Sequence, residues 1–189
     1  MLVVAGGKKL VILDRDGVIN RDSDEYIKTV DEWVPIDGSI EAIAQLKQAG
    51  FTVAIASNQS GIGRGFFDVD TLSAMHNYLA ELLAAHDVAI DCIAYCPHLP
   101  EDQCRCRKPG TGLFETIADT LHIELTGAIA IGDSLRDLQA GVAMGCLPVL
   151  VLSGKGQKTF DAAMADKNKA LPDGTQVYDD LASAVDSLL

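Results

Sequence analysis

Five short apolar runs alternate with longer stretches of helical character, and this alternation constrains the fold more than any other feature of the chain. The runs cover residues 9–13, 51–56, 90–95, 128–132 and 147–152, and the first four end at Asp14, Ser57, Cys96 and Asp133. Helical patterns fill 39–49, 69–86, 112–121 and 135–144. Strands separated by helices of this length form βαβ units, which place a parallel sheet between helix layers. The expected fold is therefore α/β, a Rossmann-like three-layer arrangement with a central parallel sheet. Gly50 stands where a helix C-cap glycine belongs. The polar segment 153–173, with Lys155, Lys158, Lys167 and Lys169, reads as a loop with a weak helix, and 179–189 as a last helix that packs back.

The chain has 189 residues, 48% hydrophobic and 22% charged, enough to bury a core without disulfide staples. One domain, 1–189, is expected. The net charge of −12 argues against a nucleic-acid partner, because phosphate backbones bind basic surfaces. An anionic metabolite would need a metal ion and a few placed cations to overcome the overall field. No window reaches the roughly 18 apolar residues of a membrane helix, and the first nine residues lack the basic region of a signal peptide. A cytoplasmic protein without membrane partners is expected.

Chemistry-bearing residues sit just past the ends of separate strands. In open parallel α/β sheets that edge is where ligands bind. Asp14-Arg15-Asp16-Gly17 places two carboxylates two positions apart after the first run, and Gly17 permits a curl that would bring both into one pocket. One could attack phosphorus and the other move the proton. Taken alone, the same residues are equally a solvated Asp-Gly turn. Ser57-Asn58-Gln59-Ser60-Gly61 offers a hydroxyl and exposed backbone N–H groups for an anion, although most such turns are only turns. Arg107-Lys108-Pro109 offers two adjacent cations, a pair usually found on a solvated surface. Gly132-Asp133-Ser134-Leu135-Arg136-Asp137 ends a strand with Asp133 and sets Asp137 one helical turn later, where the two could hold a hard divalent cation or serve as cap and surface residue.

A fifth cluster stands apart. Cys96, His98, Cys104 and Cys106 supply three thiols and one imidazole within a single loop, 96–106. Cys3His is a known structural zinc set, and with four protein ligands no position remains for water. The expected purpose is to fix the loop that carries Arg107 and Lys108. Cys92 and Cys146 lie in apolar surroundings and read as core residues, while His76, His86 and His122 fall on helix patterns suited to packing or the surface.

In this order the elements resemble the four motifs of the haloacid dehalogenase (HAD) superfamily: DxD after the first strand, Ser or Thr after the second, a later Lys, then GDxxxD. The likeness spans roughly residues 10–152. It narrows, through residues 13–20, 57–61, 96–98 and 104–109, to the heptose bisphosphate phosphatases, with the histidinol-phosphate phosphatases as sister group. The resemblance implies Asp14 as nucleophile and magnesium ligand, with Asp16 as general acid/base and carbonyl ligand. It implies Asp133 as the remaining protein ligand and Asp137 as an orienting residue. Ser57 and Lys108 would steady the phosphoryl group. Asp22, Tyr26, Asn58, Gln59, Ser60 and Arg107 would contact the substrate, with the spacing between Asp22 and Tyr26 one residue longer than the family's. The implied activity is removal of the 7-phosphate from a heptose bisphosphate through an aspartyl-phosphate, a step toward lipopolysaccharide or other heptose glycans. Histidinol phosphate is the alternative substrate, since the short His98-to-Cys104 spacing resembles the sister group, and a zinc-stabilised interaction module with a dead site is a third reading. About 40 residues separate Asp16 from Ser57, so a capless, monomeric enzyme with an open site for a small phosphorylated sugar is expected.

Overall fold

A computed structural model describes residues 9–189; the signal-peptide reading of the N-terminus lies outside them. The strands are β1 (Leu10–Leu13), β2 (Thr52–Asn58), β3 (Cys92–Cys96), β4 (Ile129–Gly132), β5 (Leu147–Val151) and β6 (Gln176–Tyr178). The helices are α1 (Ser39–Gln48), α2 (Ser60–Gly63), α3 (Val69–Ala84), α4 (Gly112–Leu121), α5 (Leu135–Ala143), α6 (Gly156–Ala165) and α7 (Leu181–Leu188). All six strands pair in parallel in the order β3-β2-β1-β4-β5-β6. The chain runs outward from β1 on one side and from β4 on the other, so the strand order reverses between them. A crevice opens beyond the strand ends at such a reversal, and Asp14 and Asp133 are the residues that stand there.

The central strands β1, β2, β4 and β5 are buried on both faces, as parallel strands between helix layers must be, while the edge strands β3 and β6 are more open. In β1, Val11 and Leu13 point to a core shared with Ile43 and Leu46 of α1, Met75 and Leu79 of α3, and Val185 of α7. Leu10 and Ile12 point to the other face, against Leu113, Phe114 and Ile117 of α4 and Ala140 of α5. This period-two alternation explains why the first run is apolar without a break. Helix α3 starts at Asp68, whose side chain accepts from Thr71 N. Helix α5 starts in a reciprocal cap, with Asp137 accepting from both the backbone N–H and the hydroxyl of Ser134.

Among the described residues α1 is the helix that links β1 to β2, and α2 and α3 link β2 to β3. Three readings of the sequence change. Segment 153–173 holds a ten-residue helix, α6, rather than a weak one; its apolar stripe is thin, burying Gly156 and Ala163 and leaving Met164 exposed. Strand β6 was not anticipated, because its three residues carry one central valine and pair on one side only, to β5. Strand β3 begins at Cys92 rather than residue 90, because the Asp91 carboxylate takes Val53 N and Lys47 Nζ at the strand entrance.

Candidate active site

Asp14 follows β1 and Asp133 follows β4, neighbouring strands, and their carboxylates meet that of Asp137 so that one oxygen of each lies within 4.8 Å of the others. Gly17 turns the chain at φ +84° directly against the Asp133 carboxylate, where any Cβ would collide with Oδ2. Lys108 is drawn in from the far side. Its Nζ stands 3.0 Å from Asp14 Oδ1 and 2.7 Å from Asp137 Oδ1, and donates to Ala56 O at 2.6 Å. The side chain of Asn58, at the end of β2, grips the Lys108 peptide twice, accepting from its N–H and donating to its carbonyl.

Electrostatics follow from burial and crowding. Burial, with the nearby charges of Asp137 and Asp16, pushes the Asp14 pKa up to about 6 despite Lys108. Asp133 is pushed up to about 8, first by burial and then by Asp14 and Asp137. Two carboxylates held this close resist ionising together, and a divalent cation is the natural relief, so the donor set fits a hard metal ion. Burial alone would lower the Lys108 pKa, but Asp137 and Asp14 outweigh it and keep the ammonium charged.

Asp16 has a different environment. Arg15 is almost fully buried and turns back onto it, with Nη2 at 2.9 Å from both carboxylate oxygens. Asn20 and Gln59 donate to it at 2.8 Å each. Burial alone would raise the Asp16 pKa, but Arg15 and these donors hold it below the usual carboxylate value. Gln59 also donates to the Ser57 hydroxyl and accepts from Arg15, tying β2 to the loop after β1.

Above these groups a pocket is lined by Asp14, Asp16, Asp22, Tyr26, Asn58, Gln59, Ser60, Arg107 and Asp133, all expected from the sequence. Ser57 and Lys108 are buried just behind it. Asp137 lies within the carboxylate cluster with Asp14 and Asp133, and one of its oxygens meets Lys108 while the other meets Ser134. Ser23, Asp24, Phe67, Arg136 and Lys155 also line the pocket and were not singled out. Arg15 was missed too, although an arginine flanked by two carboxylates is a readable signal.

In the 96–106 loop the Sγ atoms of Cys96, Cys104 and Cys106 lie 3.1–3.5 Å apart, and His98 Nδ1 is 3.2 Å from Cys106 Sγ and 3.6 Å from Cys96 Sγ. A tetrahedron with zinc–sulfur bonds of about 2.3 Å has sulfurs a little under 4 Å apart, so the set fits such an ion. Cys146 is buried near Leu125 O, and Cys92 packs on the α4 face of the sheet. His76 packs near Tyr95, and burial, then Arg15, pushes its pKa down to about 4.

The family model described as HAD-hyrolase-like matches residues 105–184. A D-glycero-beta-D-manno-heptose-1,7-bisphosphate 7-phosphatase from Pseudomonas aeruginosa is 52% identical over 182 residues, 96% of this chain and 98% of the relative. A relative of the same name from Escherichia coli K12 is 40% identical over 153 residues, 77% of this chain and 80% of its own. Among solved structures, the D,D-heptose 1.7-bisphosphate phosphatase from B. bronchiseptica, complexed with magnesium and phosphate, superposes with a TM-score of 0.89 at 48% identity, over 95% of this chain and 97% of the other.

Proposed function

The chain belongs to the D-glycero-beta-D-manno-heptose-1,7-bisphosphate 7-phosphatase family of HAD hydrolases, and from that membership we propose that it removes the 7-phosphate of this sugar bisphosphate by way of an aspartyl-phosphate on Asp14. The observation that carries the substrate is the near-full-length similarity to relatives of that name, supported by a pocket lined by Asp14, Asp16 and Asp133. The histidinol-phosphate alternative is not supported: the relatives compared carry the heptose name, and the short His98-to-Cys104 loop still brings its four donors together.

Asp14 attacks the phosphorus, the bond from phosphorus to the C7 oxygen breaks, and Asp16 delivers a proton to that oxygen. Arg15, Asn20 and Gln59 hold Asp16 in position. A phosphoryl dianion arriving beside it favours its protonated form, and once the sugar leaves, its ionised form takes a proton from a water whose oxygen bonds to phosphorus as the bond from phosphorus to the Asp14 carboxylate breaks, releasing phosphate and free Asp14. Lys108 and the Ser57 hydroxyl offset charge on the equatorial oxygens. Asp14, Asp133 and the Asp16 carbonyl would hold magnesium, which would supply charge neutralisation at the reacting phosphoryl group. Zinc on Cys96, His98, Cys104 and Cys106 fixes the loop that presents Arg107 and Lys108. Arg107, Asp22, Tyr26 and Ser60 face the sugar, while Asn58 and Gln59 act mainly by positioning Lys108, Ser57 and Asp16.

The same reading makes the protein a cytoplasmic monomer in heptose supply for glycans such as lipopolysaccharide. No helix among the described residues is long and apolar enough to cross a membrane. The test is phosphate release with magnesium from heptose 1,7-bisphosphate, histidinol phosphate and fructose 1,6-bisphosphate. The expected result is a kcat/KM at least tenfold higher for the heptose, with the 1-phosphate retained; comparable turnover of histidinol phosphate would overturn it.

A further inference from the structure

Two cations that line the pocket take no part in the reaction, Arg136 and Lys155, and only Lys155 is in an ion pair among the described residues. Arg136 is the second residue of α5, and it lines both the pocket that holds Asp14, Asp16 and Asp133 and an adjoining groove with Lys155, Lys158 and Lys169. Its Nε is buried without a hydrogen-bond partner, and no carboxylate among the described residues lies within 4.0 Å of its guanidinium. The Arg136 charge helps to lower the Asp137 pKa without an ion pair between them, and in a chain of net charge −12 a half-buried arginine whose Nε has no partner can still take an anion from the cavity.

The other cations are already engaged. The Lys108 ammonium is ion-paired with Asp14 and Asp137 and donates to Ala56 O. Lys155 Nζ sits 2.8 Å from Asp22 and 3.4 Å from Asp24, so it cancels two carboxylates that would repel a phosphate from the pocket mouth. The Lys155 backbone N–H donates to Asp133 Oδ2 at 2.7 Å, which fixes this loop to the reacting end. Arg107 lends Nη1 to His98 O at 3.3 Å.

We propose that Arg136, with Lys155 screening the acidic rim beside it, is the subsite for the non-reacting phosphate of a bisphosphorylated sugar. The proposal deepens the phosphatase reading and rests on it. A planar guanidinium can take two phosphate oxygens at once. Arg136 thereby becomes a determinant of bisphosphate over monophosphate, apart from the groups that perform the chemistry.

The experiment compares wild type, Arg136→Ala and Arg136→Lys on heptose 1,7-bisphosphate and on the same heptose bearing the 7-phosphate alone. Loss of one charge-assisted phosphate contact lowers kcat/KM about ten- to hundredfold. Arg136→Ala should show that loss on the bisphosphate and less than threefold on the monophosphate, and Arg136→Lys should recover much of it. Equal losses on both substrates, or none on either, would overturn the subsite. In parallel, fructose 1,6-bisphosphate and fructose 6-phosphate are compared as inhibitors of p-nitrophenyl phosphate hydrolysis. Arg136→Ala should weaken inhibition by the bisphosphate alone, and an unchanged inhibition constant would refute the subsite. Wild type that hydrolyses p-nitrophenyl phosphate but neither heptose would refute the substrate reading, while the inhibition arm still decides on Arg136.

Discussion

Lys108 Nζ forms an ion pair with Asp137 Oδ1 at 2.7 Å, joining the loop after the Cys/His cluster to the first turn of α5. The same ammonium reaches Asp14 Oδ1 at 3.0 Å, and all three side chains are buried. Removing the cation would leave two carboxylates buried without compensation. Breaking a buried ion pair from one side costs about 3–5 kcal/mol. Lys108→Ala is therefore expected to lose that stability in urea unfolding without magnesium, besides losing turnover on every phosphate ester. A variant inactive yet as stable as wild type would show that the lysine contributes to chemistry alone.

Asp14→Asn separates the nucleophile from its surroundings. The amide keeps the shape but cannot form the phosphoryl ester, so turnover should fall below a thousandth of wild type with the far-ultraviolet circular dichroism spectrum unchanged. Mass spectrometry should exclude deamidation back to aspartate. Retention of a tenth of the activity would remove Asp14 from the nucleophile's role.

The site was legible where residue type and strand period coincide. Asp14, Ser57 and Asp133 each close an apolar run, and parallel packing brings those ends to one edge. Side-chain direction was harder to read. Helical spacing set Asp137 beside Asp133, but a capping box and Lys108 take both its oxygens. Arg15 lies one position past Asp14, where strand alternation would turn it away, yet the bend at Gly17 folds it back onto Asp16. Arg136 and Lys155 looked like ordinary charges of a helix and a polar loop, because only tertiary placement brings them to the pocket. Strand β6 is too short to show a period.

The raised carboxylates predict how the metal-free enzyme responds to pH. With Asp14 at about 6 and Asp133 at about 8, the folded state binds protons that the unfolded chain, near 3.8, has released. Stability from this pair therefore falls as pH rises from about 4 toward 8. A bound cation removes that penalty, so magnesium should raise Tm more at pH 8 than at pH 6. Binding at pH 7 should also release protons, because Asp133 must ionise. Calorimetry in buffers of different ionisation enthalpy measures the release, and none at pH 7 would contradict the assigned ligands.

The Cys/His loop should carry about one zinc per chain in reduced protein dialysed against magnesium buffer. Cys104→Ser should lower the zinc content and the Tm by roughly 5–10 °C, at about 2–4 °C per kcal/mol for a chain of this size. Elemental analysis and a thermal scan give both numbers. Absence of zinc from freshly purified wild type would count against a structural zinc ion.

Arg107 and Lys108 are adjacent, but the structure sends them to different places. Lys108 is buried behind the pocket on Asp14 and Asp137, while Arg107 lines the pocket and is braced by His98 O. The brace comes from within the Cys/His loop, so a rigid loop presents the guanidinium at low entropic cost. Its proposed role is to recognise the sugar rather than to assist phosphoryl transfer. A lost charge-assisted contact costs about 1.5–3 kcal/mol, which is roughly one to two powers of ten in rate. Arg107→Ala should accordingly depress kcat/KM by that factor on heptose 1,7-bisphosphate and on the heptose 7-phosphate. On p-nitrophenyl phosphate, which has no sugar to recognise, it should lose less than threefold. Steady-state kinetics on the three esters separates this pattern from that of Arg136→Ala, which spares the monophosphate. Equal loss on all three would place Arg107 with Lys108 in the chemistry itself.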